Sequence, residues 1–585
     1  METDSKPKTR RQHLGRRNTV KLLALLCLPA WAQADVEIDG LSGEVRNNVE
    51  LTLSVADENC ESPEWKIRDL YAQADQEIDQ AMRAFGYYHS QLAKQLRFGD
   101  GCWQAHFVIA PGPRTSIAEI NVEIRGEAAE DPAFVKLREQ LLQQRNQALN
   151  HADYESMKRK INALAAEQGY LQAKFLTHRL HIDKQQHSAS IDLVFDSGPR
   201  NRFGVLSIDQ DVLDPALVER FVSFKSGDYY SAKQLAQTHA ALTSSPYFQR
   251  VDLQPDLDNI QDLQVPVTLT LHPRKTHHYT VGIGYDTDKG PLLGGGYQNR
   301  RLNRDGHVLN ADLDVSPVLA TATLEYTVPL QKPASDYFSF GGGIKREDTD
   351  SYQSLSGKLS ARVKKSLDSG WKQTLFLDSV YESYKTDGDD DSTLLLLPGG
   401  SWLRSVSDDP VRPRQGYRIE FNVIGSAQNP LSDINLAQAH FAAVWQHPMP
   451  WRSRLLVRAE QGATLVDDFS KLPTTYRFYA GGMNSIRGYS YKELGPTDAA
   501  GNVIGGRFVS VLSLEYEQGL FDDWGIAAFI DSGNAYEPDD IRIKTGAGLG
   551  LRWYSPFGLV RFDLATPIGQ PDGGIQFHFA AGTRL

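Results

Sequence analysis

From His278 to the C-terminus, apolar and polar residues alternate along short runs, and helical periodicity is absent. In one run, four apolar residues are separated by three small or polar ones: Tyr279, Val281, Ile283 and Tyr285 alternate with Thr280, Gly282 and Gly284. Successive side chains of a strand point to opposite faces, so each run predicts a strand with one apolar face. A soluble sandwich and a membrane barrel with a wet lumen both use such strands. For a barrel, about 310 residues at roughly 19 per strand and connection predict about 16 strands.

Features outside the alternation favour the membrane barrel. Residues 1–34 are typical of a secretory signal peptide, with a basic region, an apolar core from Leu22 to Trp31, and small residues at Ala32 and Ala34. After this segment no run approaches the roughly 18 apolar residues that a spanning helix needs. Six tryptophans between Trp371 and Trp553 suit the aromatic girdles of a barrel.

A glycine-rich stretch, residues 480–491, interrupts the strand-like runs. Its single Arg487 stands among glycines and aromatic residues, and alternation in later strands turns Glu515 and Asp531 towards the lumen. Arginine presents a planar fork of donors that suits carboxylates. We therefore predict a loop tucked inside the barrel, with Arg487 locked to these two carboxylates. The lock either keeps the lumen plugged during a functional cycle or is a stabilising ion pair alone.

The motifs of this region resemble the Omp85 superfamily of outer-membrane assembly and translocation proteins. The loop motif comprises Gly481, Gly482, Ile486, Arg487, Gly488 and Tyr489, and the barrel-wall motif comprises Phe529, Gly533, Gly546, Gly548 and Arg552 together with Asp531. The likeness is greatest to the outer-membrane subunits of translocation and assembly modules. It implies a barrel of 16 strands in the bacterial outer membrane and amino-terminal domains in the periplasm.

The amino-terminal half contains three copies of one unit. Gly-Tyr-like and Gly-Pro-Arg-like signatures recur roughly every 80 residues, and each copy is predicted as strand, helix, helix, strand, strand. The second and third copies open a helix with Asp-Pro-Ala, an N-cap followed by a first-turn proline. The pattern resembles the βααββ POTRA module. We predict a signal peptide at 1–34, POTRA modules at 35–114, 115–200 and 201–274, and the barrel at 275–585.

The open edges of such small sheets can accept another chain's strand, so the repeated half is either a docking arm or a spacer. The junction between the first and last barrel strands is a second predicted site. Glycines weaken packing within strands, and the predicted lateral seam includes Gly282, Gly284, Gly574, Phe577 and Phe579. A weak seam could part to admit a client strand, or the glycines could merely relieve crowding in a closed barrel.

Only two cysteines follow the signal peptide, Cys60 and Cys102. In an exported chain they are expected to form a disulfide, with free buried thiols as the alternative.

The resemblance implies an outer-membrane component that inserts or translocates proteins such as autotransporters, by strand addition at the seam. It also implies an inner-membrane-anchored periplasmic partner of the TamB type, client outer-membrane proteins and contact with outer-membrane lipid. The alternatives are a dedicated secretion pore and a conduit for phospholipid. The net charge of −11 argues against nucleic acid, and no motif for catalysis, metal or cofactor is found, so none is expected.

Overall fold

Three small α/β modules precede a closed β-barrel. The computed structural model describes residues 34–99, 102–386, 389–409, 412–556, 558–570 and 574–581. Almost all of the predicted signal peptide therefore lies outside the described residues. The chain divides into two units, one ending at Arg200 and the other beginning at Asn201. In the described residues, no helix is both long enough and apolar enough to cross a membrane.

The first module packs two helices on a three-stranded sheet. Its elements are β1 (Asp35–Asp39), α1 (Gly43–Thr52), α2 (Glu64–Ala84), β2 (Gln91–Gly99) and β3 (Cys102–Ala110). The sheet order is β1-β3-β2, with β1 parallel to β3. Helix α2 buries Ile67, Ala74 and Ile78 against the sheet. A disulfide joins Cys60 to Cys102.

The second module repeats this arrangement within the same unit. It comprises β4 (Ser116–Arg125), α3 (Pro132–Leu142), α4 (His151–Gln168), β5 (Lys174–Asp183) and β6 (Ser188–Asp196), in the order β4-β6-β5. Asp131 caps α3, since its carboxylate accepts a hydrogen bond from the Ala133 amide at 2.9 Å. The Tyr88 hydroxyl lies 2.7 Å from His151 Nε2 and joins the first two modules.

The third module belongs to the barrel's unit. It comprises β7 (Arg202–Asp209), α5 (Pro215–Glu219), α6 (Ala232–Ser244), β8 (Phe248–Pro255) and β9 (Gln264–Pro273), in the order β7-β9-β8. The prediction of three βααββ modules is confirmed.

The barrel closes with 16 antiparallel strands, which confirms the predicted number. The first eight are β10 (His277–Asp286), β11 (Gly290–Asn299), β12 (Val308–Val315), β13 (Leu319–Pro329), β14 (Tyr337–Asp348), β15 (Gln353–Ser366), β16 (Lys372–Thr386) and β17 (Asp389–Ser407). The last eight are β18 (Gly416–Ser426), β19 (Leu436–Met449), β20 (Ser453–Val466), β21 (Phe508–Gly519), β22 (Trp524–Tyr536), β23 (Lys544–Ser555), β24 (Gly558–Ile568) and β25 (Gln576–Ala581). Along β21, exposed Leu512 and Leu514 flank buried Ser513, as expected of a wall with an outer apolar face.

One end of the barrel is fixed to the third module. Tyr247 donates its hydroxyl proton to the Gly306 carbonyl at 2.5 Å, and the Asp214 amide donates to the Arg304 carbonyl at 2.8 Å. Both acceptors lie in the turn between β11 and β12. Because consecutive strands run in opposite directions, the β17–β18, β19–β20 and β21–β22 turns lie at this same end. We call it the proximal rim.

Candidate functional site

The connection between β20 and β21, residues 467–507, fills part of the barrel lumen. Several of its side chains are buried although the segment contains almost no regular structure: Ala480, Met483, Ile486, Arg487 and Tyr489 are each at most 3% exposed. Gly481, Gly482 and Gly488 have φ between 96° and 102°, which explains the need for glycine at these turns. We call this segment the lumen loop.

Arg487 joins the lumen loop to three strands of the wall. Its Nε and Nη2 donate to the two carboxylate oxygens of Asp531 at 2.7 and 3.0 Å, and its Nη1 donates to Glu515 at 2.6 Å. The same Nη1 donates to Asp563 at 3.2 Å. The guanidinium also lies 3.4 Å from the centroid of the Phe529 ring. Arg487 thus binds one carboxylate on each of the three strands β21, β22 and β24.

Arg552 completes the charge network from β23. It donates to Glu515 at 2.8 Å and to Asp563 at 2.5 Å, so it shares two carboxylates with Arg487. All these side chains are at most 6% exposed. Burial of so many charges is tolerated only because each ion is paired and hydrogen-bonded. Sequence reasoning missed Asp563; alternation along β24 was the signal that could have found it.

Gly546 gives the loop backbone room to approach the wall. A Cβ at this position would lie 1.8 Å from the Arg487 carbonyl oxygen. Gly548 is similarly confined, since its Cβ would lie 2.0 Å from the Leu564 carbonyl oxygen. At Gly533 a Cβ would lie 2.0 Å from the Ser510 carbonyl oxygen. The barrel-wall motif therefore has three roles. Phe529 contacts the Arg487 guanidinium, Asp531 binds it, and the glycines leave room for close approach of the backbone.

A second anchor lies just beyond the predicted motif. Lys492 donates to Glu347 of β14 at 2.7 Å, and the rings of Tyr352, Tyr479 and Tyr491 surround its ammonium group at 5.0 to 5.5 Å. Lysine and aromatic rings attract each other electrostatically. Sequence reasoning missed Lys492 because its carboxylate partner is remote in the chain and only the fold brings them together.

Within the residues that the structure describes, the seam between β10 and β25 contains two residue pairs, Tyr285 with Ala581 and Asp286 with Ala580. By contrast, β10 and β11 pair along all ten residues of β10. Just past β10, the Thr287 amide donates to the Phe579 carbonyl at 3.0 Å. Among the described residues, the β10–β25 pairs therefore involve the carboxyl-terminal end of β10.

The structure brings some of the predicted seam residues together. Gly284 lies at the seam, because its Cβ would be 3.1 Å from the Ala581 carbonyl oxygen, and Phe579 packs on the Tyr285 ring with centroids 5.9 Å apart. The remaining three lie away from the β10–β25 pairs. Gly282 pairs with Gly294, Phe577 pairs with Leu564, and Gly574 precedes β25.

The lumen loop contacts both sides of the seam. The Gly488 amide donates to His578 Nε2 of β25 at 3.1 Å, and the Met483 amide donates to Asp288 in the β10–β11 turn at 2.9 Å. Neither His578 nor Asp288 is recognisable as a loop contact from sequence spacing, since only the closure of the barrel brings them next to the lumen loop.

Comparisons with known proteins agree with this architecture. Residues 296–585 match the Omp85 superfamily domain, and residues 35–111 match the first POTRA domain of TamA. The outer membrane protein assembly factor BamA of Nitratidesulfovibrio vulgaris is 25% identical over 63% of this chain and 49% of its own length. BamA of Neisseria meningitidis serogroup B is 27% identical over 36% of this chain and 31% of its own length. The chain thus spans about half or less of these curated relatives.

Among solved structures, BamA from Haemophilus ducreyi lacking POTRA domains 1–3 superposes with a TM-score of 0.63 at 18% identity, covering 80% of this chain and 99% of that one. This likeness shows the fold. The chain therefore belongs to the Omp85 superfamily: its barrel lies in the bacterial outer membrane, and its amino-terminal modules, the first a TamA-type POTRA domain, lie in the periplasm.

Proposed function

We propose that this chain inserts or translocates other proteins into or across the outer membrane by accepting a client strand at the β10–β25 seam. The observation that carries the proposal is the seam itself, where, among the described residues, two residue pairs join the first and last strands of a closed barrel. An unpaired strand edge presents N–H and C=O groups that can pair with another chain. In this proposal β10 is the strand whose edge receives the client.

The plugged lumen supports this route over a dedicated secretion pore. An open pore needs a clear passage, whereas Arg487 and Lys492 anchor the lumen loop to opposite parts of the wall. A client that enters sideways does not need the loop to leave the lumen. Arg487 serves in this proposal to keep the plug in place while the seam parts.

We further propose that the chain is the outer-membrane component of a translocation and assembly module. The match of its first module to the TamA-type domain supports this assignment. This assignment implies a periplasmic, inner-membrane-anchored partner of the TamB type and clients such as autotransporters. The open sheet edges β1 and β2 are the docking positions that the fold offers to that partner.

The test is a disulfide across the seam. Tyr285→Cys and Ala581→Cys introduce thiols at directly paired positions, and the native cysteines are already joined to each other. Oxidation is expected to stop client assembly in membranes, and reduction is expected to restore it. The matched control, Phe421→Cys with Phe441→Cys, crosslinks a fully paired strand couple and should leave assembly unchanged. Full assembly with a completely oxidised seam would contradict the proposal.

A further inference from the structure

Three turns of the proximal rim enclose a cavity of about 290 Å³ lined by four arginines. They are Arg412, Arg414, Arg452 and Arg454, and the lining contains two carboxylates, Glu517 and Asp522. Positive charge therefore exceeds negative charge around a pocket that a small anion can enter. The lining contains no residue of the lumen loop or of the seam described above. Its Glu517 lies 3.3 Å from Arg552 of the lumen-loop charge network.

Arg454 fixes the floor of this cavity. Its Nε donates to Glu517 at 2.5 Å, while its other nitrogens donate to the Pro413 carbonyl at 2.5 Å and the Tyr554 hydroxyl at 2.6 Å. Its side chain is 14% exposed. The β17–β18 turn is therefore held against the neighbouring strands, and the pocket is a built feature.

The arginines at the mouth keep unused donors. Arg412 bonds Asp523 and the Tyr554 carbonyl through Nη2, and Arg452 bonds Asp522 through Nη2. A guanidinium has five N–H donors. Within the part of the chain described, Arg414 is hydrogen-bonded through its backbone amide and its side chain has no partner.

The β19–β20 turn shows an unusual choice of residues. Trp451 and Arg452, its two central residues, have φ of 59° and 62°. Glycine and asparagine are the residues that favour such a turn, because a bulky side chain is strained at positive φ. The strained turn presents an indole and a guanidinium at the rim, and strain of this kind is characteristic of functional sites.

Apolar side chains surround the charged pocket. Trp451 is 86% exposed and Phe521 is 70% exposed, with Met449 and Leu520 also exposed on the same turns. Aromatic side chains at the ends of a barrel wall lie at the membrane interface. The arginines therefore lie at the level of lipid headgroups, and the periplasmic location of the third module assigns them to the periplasmic leaflet.

We propose that this pocket binds the phosphate of an anionic phospholipid of the periplasmic leaflet, with the acyl chains against Trp451 and Phe521. Arginine forms charge-assisted hydrogen bonds to phosphate oxygens, and basic pockets in membrane proteins bind acidic headgroups. The proposal is independent of strand addition at the seam.

The experiment measures the phosphatidylglycerol retained by the full chain after release from phosphatidylcholine nanodiscs that contain it as a minor lipid. Native mass spectrometry counts the bound lipid. Arg414→Gln with Arg452→Gln is expected to weaken retention about thirtyfold, since each arginine near a membrane surface contributes a factor of about five. The matched control is Arg346→Gln with Arg542→Gln, which removes the same charge at the other end of the barrel and should retain the lipid.

A second variant separates binding from folding. Trp451→Asn with Arg452→Gly supplies the residues that the turn favours, so the barrel is expected to be at least as resistant to heat while lipid retention falls. Unchanged retention in both cavity variants would overturn the proposal. Equal displacement of the lipid by inorganic phosphate would show a free-anion site, and displacement by an acidic peptide would show a protein site; either result would also overturn it.

Discussion

Replacement of Arg487 by alanine is the most direct test of the lumen-loop anchor. The change leaves Glu515, Asp531 and Asp563 buried, with Arg552 as the remaining close cationic partner for two of them. Asp531 loses both its bidentate bonds, and the nearest other guanidinium, that of Arg458, lies 3.8 Å away.

The expected penalty is large because uncompensated charge remains in a buried site. Breaking a buried ion pair by removing one partner costs on the order of 3 to 5 kcal/mol. Such a loss corresponds to an increase of at least about a hundredfold in the population with the loop released. Arg487→Lys is expected to be intermediate, because an ammonium group keeps the charge but not the planar fork.

Amide hydrogen exchange within the lumen loop measures how far the Arg487→Ala substitution releases the loop. The Arg487 amide donates to Asp531 and the Gly482 amide donates to the Tyr489 carbonyl, so both report loop docking. Their exchange is expected to accelerate in the alanine variant, and client assembly is expected to fall. Arg542→Ala, an exposed turn substitution, is the control. Wild-type exchange and wild-type assembly in Arg487→Ala would refute the reasoning.

Three further changes test other parts of the structure. Gly546→Ala should displace the loop and speed its exchange, because the added Cβ overlaps the Arg487 carbonyl, whereas Gly357→Ala, with nothing within 4 Å, should be neutral in the same measurement. Lys492→Met should raise proteolytic cleavage of the loop, since buried Glu347 loses its loop partner. Burial lowers the pKa of His151, so the unfolded state binds the proton more readily. Stability of the second module should therefore fall as the pH drops below the ordinary histidine range near 6.5, as monitored by exchange of α4 amides.

The barrel was predictable because its determinants are local. Period-two alternation assigns each side chain to a face whatever its partner strand, and this was enough to turn Glu515 and Asp531 inward. Their proximity to Arg487 was implied by the resemblance of the loop motif to the Omp85 superfamily. The alternation also made Asp563 predictable in principle, since it too lies on the lumen face of its strand.

Features that depend on strand register or on turn geometry were harder to predict from the sequence. The α2 helix begins at Glu64, because Pro63 has an extended backbone and serves as the N-cap. An acidic run such as that near residue 390 is typical of a solvated loop, but Asp390 and Asp391 lie within β17 and pair with Lys385 and Tyr384. Strand ends at a long hairpin are set by pairing, which the local sequence does not show.

The seam register depends on the closure of the whole barrel. Tyr285 pairs with Ala581, so an antiparallel register places Phe577 beyond the end of β10, against β24 alone. A shift of this kind arises from the stagger of strands around a barrel. No single strand encodes it, and this is why the sequence located the seam but not its facing residues.

The two anchors of the lumen loop constrain how far the seam can part. Arg487 is tied to strands on the β25 side, whereas Lys492, five residues later, is tied to β14 on the β10 side. A short chain segment therefore spans the lumen between two walls that separate when the seam opens. Arg487 has three carboxylate partners, but Lys492 shares Glu347 with Lys345. Because the Lys492 anchor has fewer ionic partners, a wide opening should release that end first and leave the loop on the carboxyl-terminal wall.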